Sequence, residues 1–450
     1  MDLFGLLKRR RGAEVLVIGL DGVPHSFLSE QIARGELPNL AALAADGELT
    51  SARSTYPTVS CSAWTSFVTG LNPGGHGIFG FQDRRPGSYE TFITGSGQVQ
   101  APALWRTLTE RGRRVLIINV PVTYPPPQVS GLLVSGFLAP RLEGATHPPQ
   151  LAARLERLGY RIDIDPWRAR ESLDALLDDL DLTLEARIRA ATELLREERW
   201  SLAMVHIMGT DRINHFMWGA WESHDPEYAP RFLDYYRKVD GAVGRLMEAA
   251  GEQSEVLVLS DHGFCLTRSE VNLDAWLRGR GWLAVPAAEG ASLSEVDEST
   301  RAFSLTPGRI YLNVRGREPR GALSPGEEYE SARDELAAEL AELTDPETGE
   351  AILADVFKRE EVFQGPAMAA APDLLAVPRD GYDLKSNLSS AELFTSGPIT
   401  GMHTYDDAFW CARGRSFVHA DSQVCDGAPT VLALLGEDLP ESLDGRPMLQ

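Results

Sequence analysis

Short apolar runs that stop abruptly at acidic residues or histidine organise this chain. Residues 14–20 run into Asp21-Gly22, residues 202–208 into Gly209-Thr-Asp211, and residues 255–260 into Asp261-His262-Gly263. Such runs predict strands, and helical spacing fills the stretches between them. A helix is expected near 26–46, through Phe27, Ile32 and Leu40, and another near 62–69. A third precedes Gly112 and feeds a strand at 115–120 that Pro121 closes, and a fourth covers 226–250, through Phe232, Val239 and Met247. This alternation predicts an α/β fold built on a doubly wound, mostly parallel sheet. In such a sheet the carboxyl ends of the strands form one edge, where ligands bind.

Elsewhere the pattern changes. Residues 145–200 show helical spacing of Leu with Arg, Asp and Glu, and read as a helical insertion. Residues 285–303 are rich in Ala, Glu and Ser and read as a loop or mobile lid. A strand at 309–314 and an amphipathic helix at 325–343 follow. The expected organisation is a catalytic core of 13–284 and 359–450, with a cap subdomain at 285–358. The chain is expected to rejoin the core near 371–377 and to close with the His403 loop and residues 416–419.

Composition narrows the function. The formal charge of -22 argues against affinity for nucleic acid or for an anionic membrane. It also requires local cations if the substrate is an anion. Four cysteines (Cys61, Cys265, Cys411 and Cys425) show no metal-finger spacing and fit a reducing cytoplasm. The basic cluster Lys8–Arg11 follows the apolar residues at the N-terminus, the reverse of a secretory signal, and no apolar stretch of about 20 residues is present to span a bilayer. That terminus reads as frayed.

Six residues carry the candidate chemistry: Asp21, Asp211, His215, Asp261, His262 and His403. Aspartate with neutral histidine suits Zn²⁺ first and Mn²⁺ second. Asp211 and His215, four apart, share one face of a helical turn. Asp261 and His262, adjacent at a strand end, can reach one metal or straddle two. The segment 55–69 offers competing nucleophiles, among them Thr58, Ser60, Cys61 and Ser62, any of which could instead cap a helix. Trp64, Phe216, Trp218, Trp221 and Tyr405 flank these positions and could stack on an aromatic substrate group, although core packing is the commoner role. His76 reads as a packed loop residue, and Asp406 and Asp407 read equally as acceptors that could orient His403 or as a solvated loop pair.

The ordered set Val17–Gly22, Pro57–Ser60, Thr69–Ile78, Thr210–His215, Leu259–Phe264 and Gly401–Asp406 resembles the alkaline phosphatase superfamily, in its type I phosphodiesterase/nucleotide pyrophosphatase branch. The resemblance implies two divalent ions. One would be held by Asp211, His215 and His403; the other by Asp21, Asp261, His262 and the nucleophile's oxygen. Counting back from Thr69-Gly70, the family nucleophile falls on Ser60. Phosphodiester or phosphoanhydride cleavage through a phospho-seryl or nucleotidyl-seryl intermediate is thereby implied, on a small phosphate-containing substrate such as a nucleotide.

The sulfatase motif of the superfamily is missing around Cys61 and Ser60. Phe81 stands where the family places a phosphate-binding Asn, with Gln82 next to it; these two and Trp218 are the candidate substrate contacts. Two other readings fit the same motifs: a phosphomutase resembling cofactor-independent phosphoglycerate mutase, and a catalytically inactive metal-binding sensor.

Overall fold

The computed structural model describes residues 14–165, 167–419 and 421–449. The N-terminal segment read as frayed lies outside the described residues. The central sheet has eight strands: β1 (Val15–Leu20), β2 (Glu48–Ala52), β3 (Val115–Ile118), β4 (Gly131–Val134), β5 (Thr146–His147), β6 (Leu202–Ile207), β7 (Glu255–Leu259) and β8 (Ala408–Ala412). Their order is β2-β8-β7-β1-β6-β3-β4-β5. The five strands from β7 to β4 run parallel, while β8, β2 and β5 pair antiparallel at the flanks. Leu20 pairs with Ile207 and Gly19 with Leu259, so three neighbouring strands end nearly level.

Helices cover both faces. They are α1 (His25–Ala33), α2 (Pro38–Asp46), α3 (Ser60–Thr69), α4 (Leu104–Glu110), α5 (Leu173–Glu197), α6 (Gly209–Glu222), α7 (Tyr228–Ala250) and α8 (Gly427–Leu434). Leu16, Ile18 and Leu20 of β1 point into a cluster with Leu40, Leu180, Ile213 and Phe232. Val15 and Val17 point the other way, onto Trp64, Phe67, Leu104 and Val431. Both faces of β1 are therefore dry, which explains an unbroken apolar run where a half-exposed strand would alternate. Each buried Val, Leu or Ile side chain contributes roughly 1.5–3 kcal/mol of transfer free energy.

Residues 145–200 differ from the expected insertion. Leu176, Leu180, Leu184, Ile188 and Leu194 of α5 lie in the same cluster as Ile18 and Val205, so α5 is a covering helix of the sheet on the crossover from β5 to β6. An inserted helix and a crossover helix have the same amphipathic spacing, and only the packing separates them.

A further apolar cluster gathers Val271 to Leu384 with Tyr89, a wider span than 285–358. Its sheet runs Ala302–Leu305, Arg309–Leu312, Leu374–Pro378 and Leu353–Lys358 in spatial order, with Leu336 and Leu340 of the helix Glu327–Ala341 packed in the same cluster. Leu374–Pro378 belongs to this sheet, pairing antiparallel with both neighbours, which corrects the expectation that the chain rejoins the core there. Leu293 and Val296, in the segment read as a lid, are buried in this cluster.

Gly19 makes the closest approach between sheet and helix. A Cβ at Gly19 would collide with the Trp64 indole of α3. Gly19→Ala is expected to cost about 1–3 kcal/mol, as overpacking does, read as a lowered denaturant midpoint. An unchanged midpoint would mean that α3 can slide away at no cost.

Candidate active site

Asp21 leaves the end of β1 with its N–H still bonded to Ile207 O at 3.1 Å. The turn continues through Gly22 at a φ of 66°, where a Cβ would meet the Phe264 ring at 2.6 Å. Two residues of α6 hold this turn from below: Thr210 Oγ1 donates to Asp21 O at 2.6 Å and Asn214 Nδ2 to Gly22 O at 2.8 Å. The same helix presents Asp211 and His215 one turn apart. Asp261 and His262 follow β7. His403, remote in sequence, arrives on a two-stranded ribbon in which Gly263–Leu266 pairs antiparallel with Gly401–Thr404, setting Phe264 opposite His403. The His262 and His403 rings then stack, with centroids 3.7 Å apart.

Two clusters result, Asp211–His215–His403 and Asp21–Asp261–His262. In the first, Asp211 Oδ1 lies 3.2 Å from His403 Nε2 and 3.3 Å from His215 Nε2, and the two Nε2 atoms are 3.1 Å apart. His215 Nδ1 sits 2.8 Å from Gly401 O and His403 Nδ1 3.2 Å from Thr58 O. A carbonyl only accepts, so each Nδ1 carries the proton and each Nε2 presents a lone pair. Two lone pairs and a carboxylate oxygen converge on one point, an arrangement that a cation satisfies.

The second cluster follows the same logic. His262 Nδ1 lies 3.0 Å from Gly263 O, which turns its Nε2 toward Ser60 Oγ (3.3 Å), Asp21 Oδ1 (3.5 Å) and Asp261 Oδ2 (3.5 Å). Asp261 Oδ1 accepts from Gly22 N at 3.2 Å, while its buried Oδ2 has no hydrogen-bond partner. Burial, and then the Asp21 charge, push the Asp261 carboxyl well above the usual range. Burial acts the same way on Asp211, but the charges and hydrogen bonds of His215 and His403 outweigh it and hold that group well below. An orphaned carboxylate oxygen beside an inward imidazole nitrogen and a second carboxylate fits a divalent ion, and the mixed N/O donor set is one that Zn²⁺ or Mn²⁺ accepts.

Ser60 opens α3, with Oγ 3.0 Å from Asp21 Oδ1 and 3.3 Å from His262 Nε2. The partial positive end of the helix therefore stands at this hydroxyl. Cys61, its neighbour, is fully buried, and burial pushes its thiol up to about 12. A cleft of about 1210 Å³ leads away from the site, lined in part by Thr58, Phe81, Gln82, His215, Phe264 and His403.

One contributor, His206, was not singled out in the sequence, and Trp64 was read there in another role. His206 Nε2 and the Trp64 indole N–H each lie 2.8 Å from Asp21 Oδ2, leaving Oδ1 free toward Ser60. Trp64 is thus buried behind Asp21 and presents no face for stacking. The available signal was a histidine within the apolar run 202–208.

Other expectations need correction. Trp218 is buried among Phe27, Phe232 and Phe264 and does not line the cleft. Asp407 accepts from the N–H and hydroxyl of Ser26, capping the start of α1, and His403 takes its orientation from the Thr58 carbonyl. His76 packs internally as expected, with Nε2 2.9 Å from Ser66 Oγ. Phe81 and Gln82 do line the cleft; Phe81 packs edge-on against Phe137, and the Gln82 amide donates to Thr91 Oγ1.

A wound sheet with metal-competent Asp/His clusters at its carboxyl edge is the architecture expected of a metal-dependent hydrolase. The sequence profile of the type I phosphodiesterase / nucleotide pyrophosphatase family matches residues 15–406, and the chain belongs to that family. Among solved structures it is similar to phosphonoacetate hydrolase from Sinorhizobium meliloti 1021 in complex with phosphonoformate, at 16% identity and a TM-score of 0.67, over 94% of this chain and 95% of that one. It is also similar to human ectonucleotide pyrophosphatase / phosphodiesterase 5, at 16% identity and a TM-score of 0.55, over 95% and 96%. An inactive form of the murine counterpart, in complex with AMP, gives 15% identity and a TM-score of 0.58, over 96% and 97%. No curated protein sequence matches the chain. Among the described residues no helix is long and apolar enough to cross a membrane.

If His206 steadies Asp21, His206→Ala should weaken Zn²⁺ binding about 10–100-fold, as loss of a group that orients a ligand does. Competition with a chromogenic chelator measures this. An unchanged affinity would assign the steadying of Asp21 to Trp64 alone.

Proposed function

We propose that this protein cleaves phosphodiester or phosphoanhydride bonds with two divalent ions, Zn²⁺ or Mn²⁺, and Ser60 as nucleophile. Asp211, His215 and His403 would hold one ion, and Asp21, Asp261, His262 and Ser60 Oγ the other. The observation that carries the reading is the position of Ser60 Oγ between Asp21 Oδ1 and His262 Nε2, at the N-terminus of α3. The bound ions would neutralise phosphate charge and lower the pKa of the serine hydroxyl.

Within that frame the residues of the chain have separate tasks. Ser60 Oγ forms the new bond to phosphorus while the bond to the departing oxygen breaks, giving a phospho-seryl or nucleotidyl-seryl ester that water then cleaves. His206 and Trp64 keep Asp21 Oδ1 turned toward Ser60. The helix terminus adds a fixed positive potential at the phosphate. Small phosphate-containing substrates suit the cleft; AMP and phosphonoformate are bound by structurally similar proteins and belong in the first screen with phosphonoacetate.

A mutase must retain its dephosphorylated product in a closed site. Here the rim residues Gln82, Asp355, Asp380 and Asp406 are exposed, which supports release to water. An inactive sensor would have no use for a hydroxyl at this point. The four free cysteines support a reducing, cytoplasmic setting.

Ser60→Ala should abolish turnover of bis(p-nitrophenyl) phosphate while metal content stays near two ions per chain; retained activity would remove Ser60 from the nucleophile's role. Asp261→Asn should lower the metal stoichiometry measured by inductively coupled plasma spectrometry. Two ions per chain in that variant would contradict the ligand assignment.

A further inference from the structure

Two parts of the cleft lining are joined by one buried guanidinium. Phe81 and Gln82, on the loop that follows His76, form the first part. Thr306 and residues 375–378, which belong to the smaller sheet and its turn, form the second. Arg309, the first residue of the strand Arg309–Leu312, is wholly buried and does not itself line the cleft. Its Nη2 donates both to Gln82 O at 2.6 Å and to Thr306 O at 2.7 Å, and its Nε donates to Thr306 O at 3.1 Å. Nη1 makes no hydrogen bond and lies 3.5 Å from Asp83 Oδ1, the ion-pair partner of that carboxylate among the described residues.

The loop is shaped to receive this group. A Cβ at Gly80 would stand 2.5 Å from Arg309 Nη2 and 2.7 Å from its Cζ, so the guanidinium fills the space of a side chain at position 80. Thr94 holds the other edge of the loop, its hydroxyl donating to Gly80 O and its N–H to Phe81 O. Phe81 and Gln82 are thus fixed from behind by a residue of a different sheet.

We infer that Arg309 is a positioning residue that sets the distance between these two parts of the lining, and with it the affinity of the cleft for substrate. The inference rests on the phosphodiesterase reading and extends it to the smaller sheet. Without the guanidinium, the carbonyls of Gln82 and Thr306 face the same point with no donor between them. Asp83 then keeps a buried charge that has lost its partner. Both effects are costly, and both are relieved when the two parts move apart. Ser60 and the groups around it make no contact with this bridge, so the bond-making step is spared.

Two substitutions remove the bridge by different routes. Arg309→Gln deletes the charge and the fork. Gly80→Ala leaves Arg309 in the chain but displaces the end of its flexible side chain. With bis(p-nitrophenyl) phosphate and the full metal-loaded chain, both should raise KM about tenfold, the weight of one charge-assisted hydrogen bond, with kcat near the parent value. Arg309→Lys keeps the charge without the fork and should fall between parent and Arg309→Gln. Leu336→Ala opens a hole in the same apolar cluster at a residue that does not line the cleft, and should lower the denaturant midpoint without raising KM. A KM unchanged in Gly80→Ala and Arg309→Gln, or raised equally in Leu336→Ala, overturns the proposal.

A second readout needs no turnover. Cys265 is half-buried and lines the cleft, whereas Cys425 is half-buried and lies outside it. Maleimide labelling, resolved by peptide mass, should run severalfold faster at Cys265 in Arg309→Gln and Gly80→Ala, with Cys425 as the reference. Labelling at the parent rate rejects the role assigned to Arg309. Absence of ester hydrolysis by the parent chain would sink the hydrolase reading, while the Cys265 rates would still decide whether Arg309 holds the cleft.

Discussion

Three carboxylates buried in one hollow are the constraint that everything else answers. Asp21, Asp211 and Asp261 are almost wholly removed from water, with Asp21 and Asp261 just past adjoining strand ends and Asp211 in the first turn of α6. Burying uncompensated charge costs several kcal/mol per ion, more than most single contacts return. The chain meets this by surrounding the carboxylates with three imidazoles whose Nδ1 protons are tied to the carbonyls of Gly263, Gly401 and Thr58. Those backbone bonds leave every Nε2 aimed inward, toward the carboxylates. A cation held there would balance the hollow, which is why the proposed ions suit its electrostatics.

The elements that proved legible in the sequence were those whose pattern has one physical meaning. An apolar run flanked by acid or histidine can satisfy its residues only as a buried strand ending at a site, and β1, β6 and β7 do so. What was not legible depends on partners that a linear pattern does not name. The run 374–378 reads as a strand in either sheet, and its pairing with Arg309–Leu312 and Leu353–Lys358 is a choice made in three dimensions. The residues 145–200 have the spacing of any amphipathic helix. His206 hides among apolar neighbours because the interior of a sheet and the back of a metal site look alike in one dimension, and Trp218 lies next to the ligands in sequence but one helical face away in space.

A protein with a formal charge of -22 would have to reverse its own field locally to act on phosphate, as proposed. Divalent ions in the two Asp/His clusters would concentrate that reversal in a small volume at the sheet edge, while the surrounding cleft stays acidic. Charge would then be sorted by distance from Ser60, positive beside it and negative further out. Phe81 and Phe137 add an apolar stretch where neither sign applies.

The ribbon that pairs Phe264 with His403 has a consequence for biogenesis. The first cluster draws on residues 211 and 403, so it cannot close until most of the polypeptide has left the ribosome. Because synthesis delivers the N-terminal part first, Asp21, Asp211 and the Asp261–His262 pair emerge while the final imidazole is still untranslated. On the proposed ligand assignment, the Asp21–Asp261–His262 cluster has all its side chains at that stage, whereas the Asp211–His215–His403 cluster would wait for the ribbon to form.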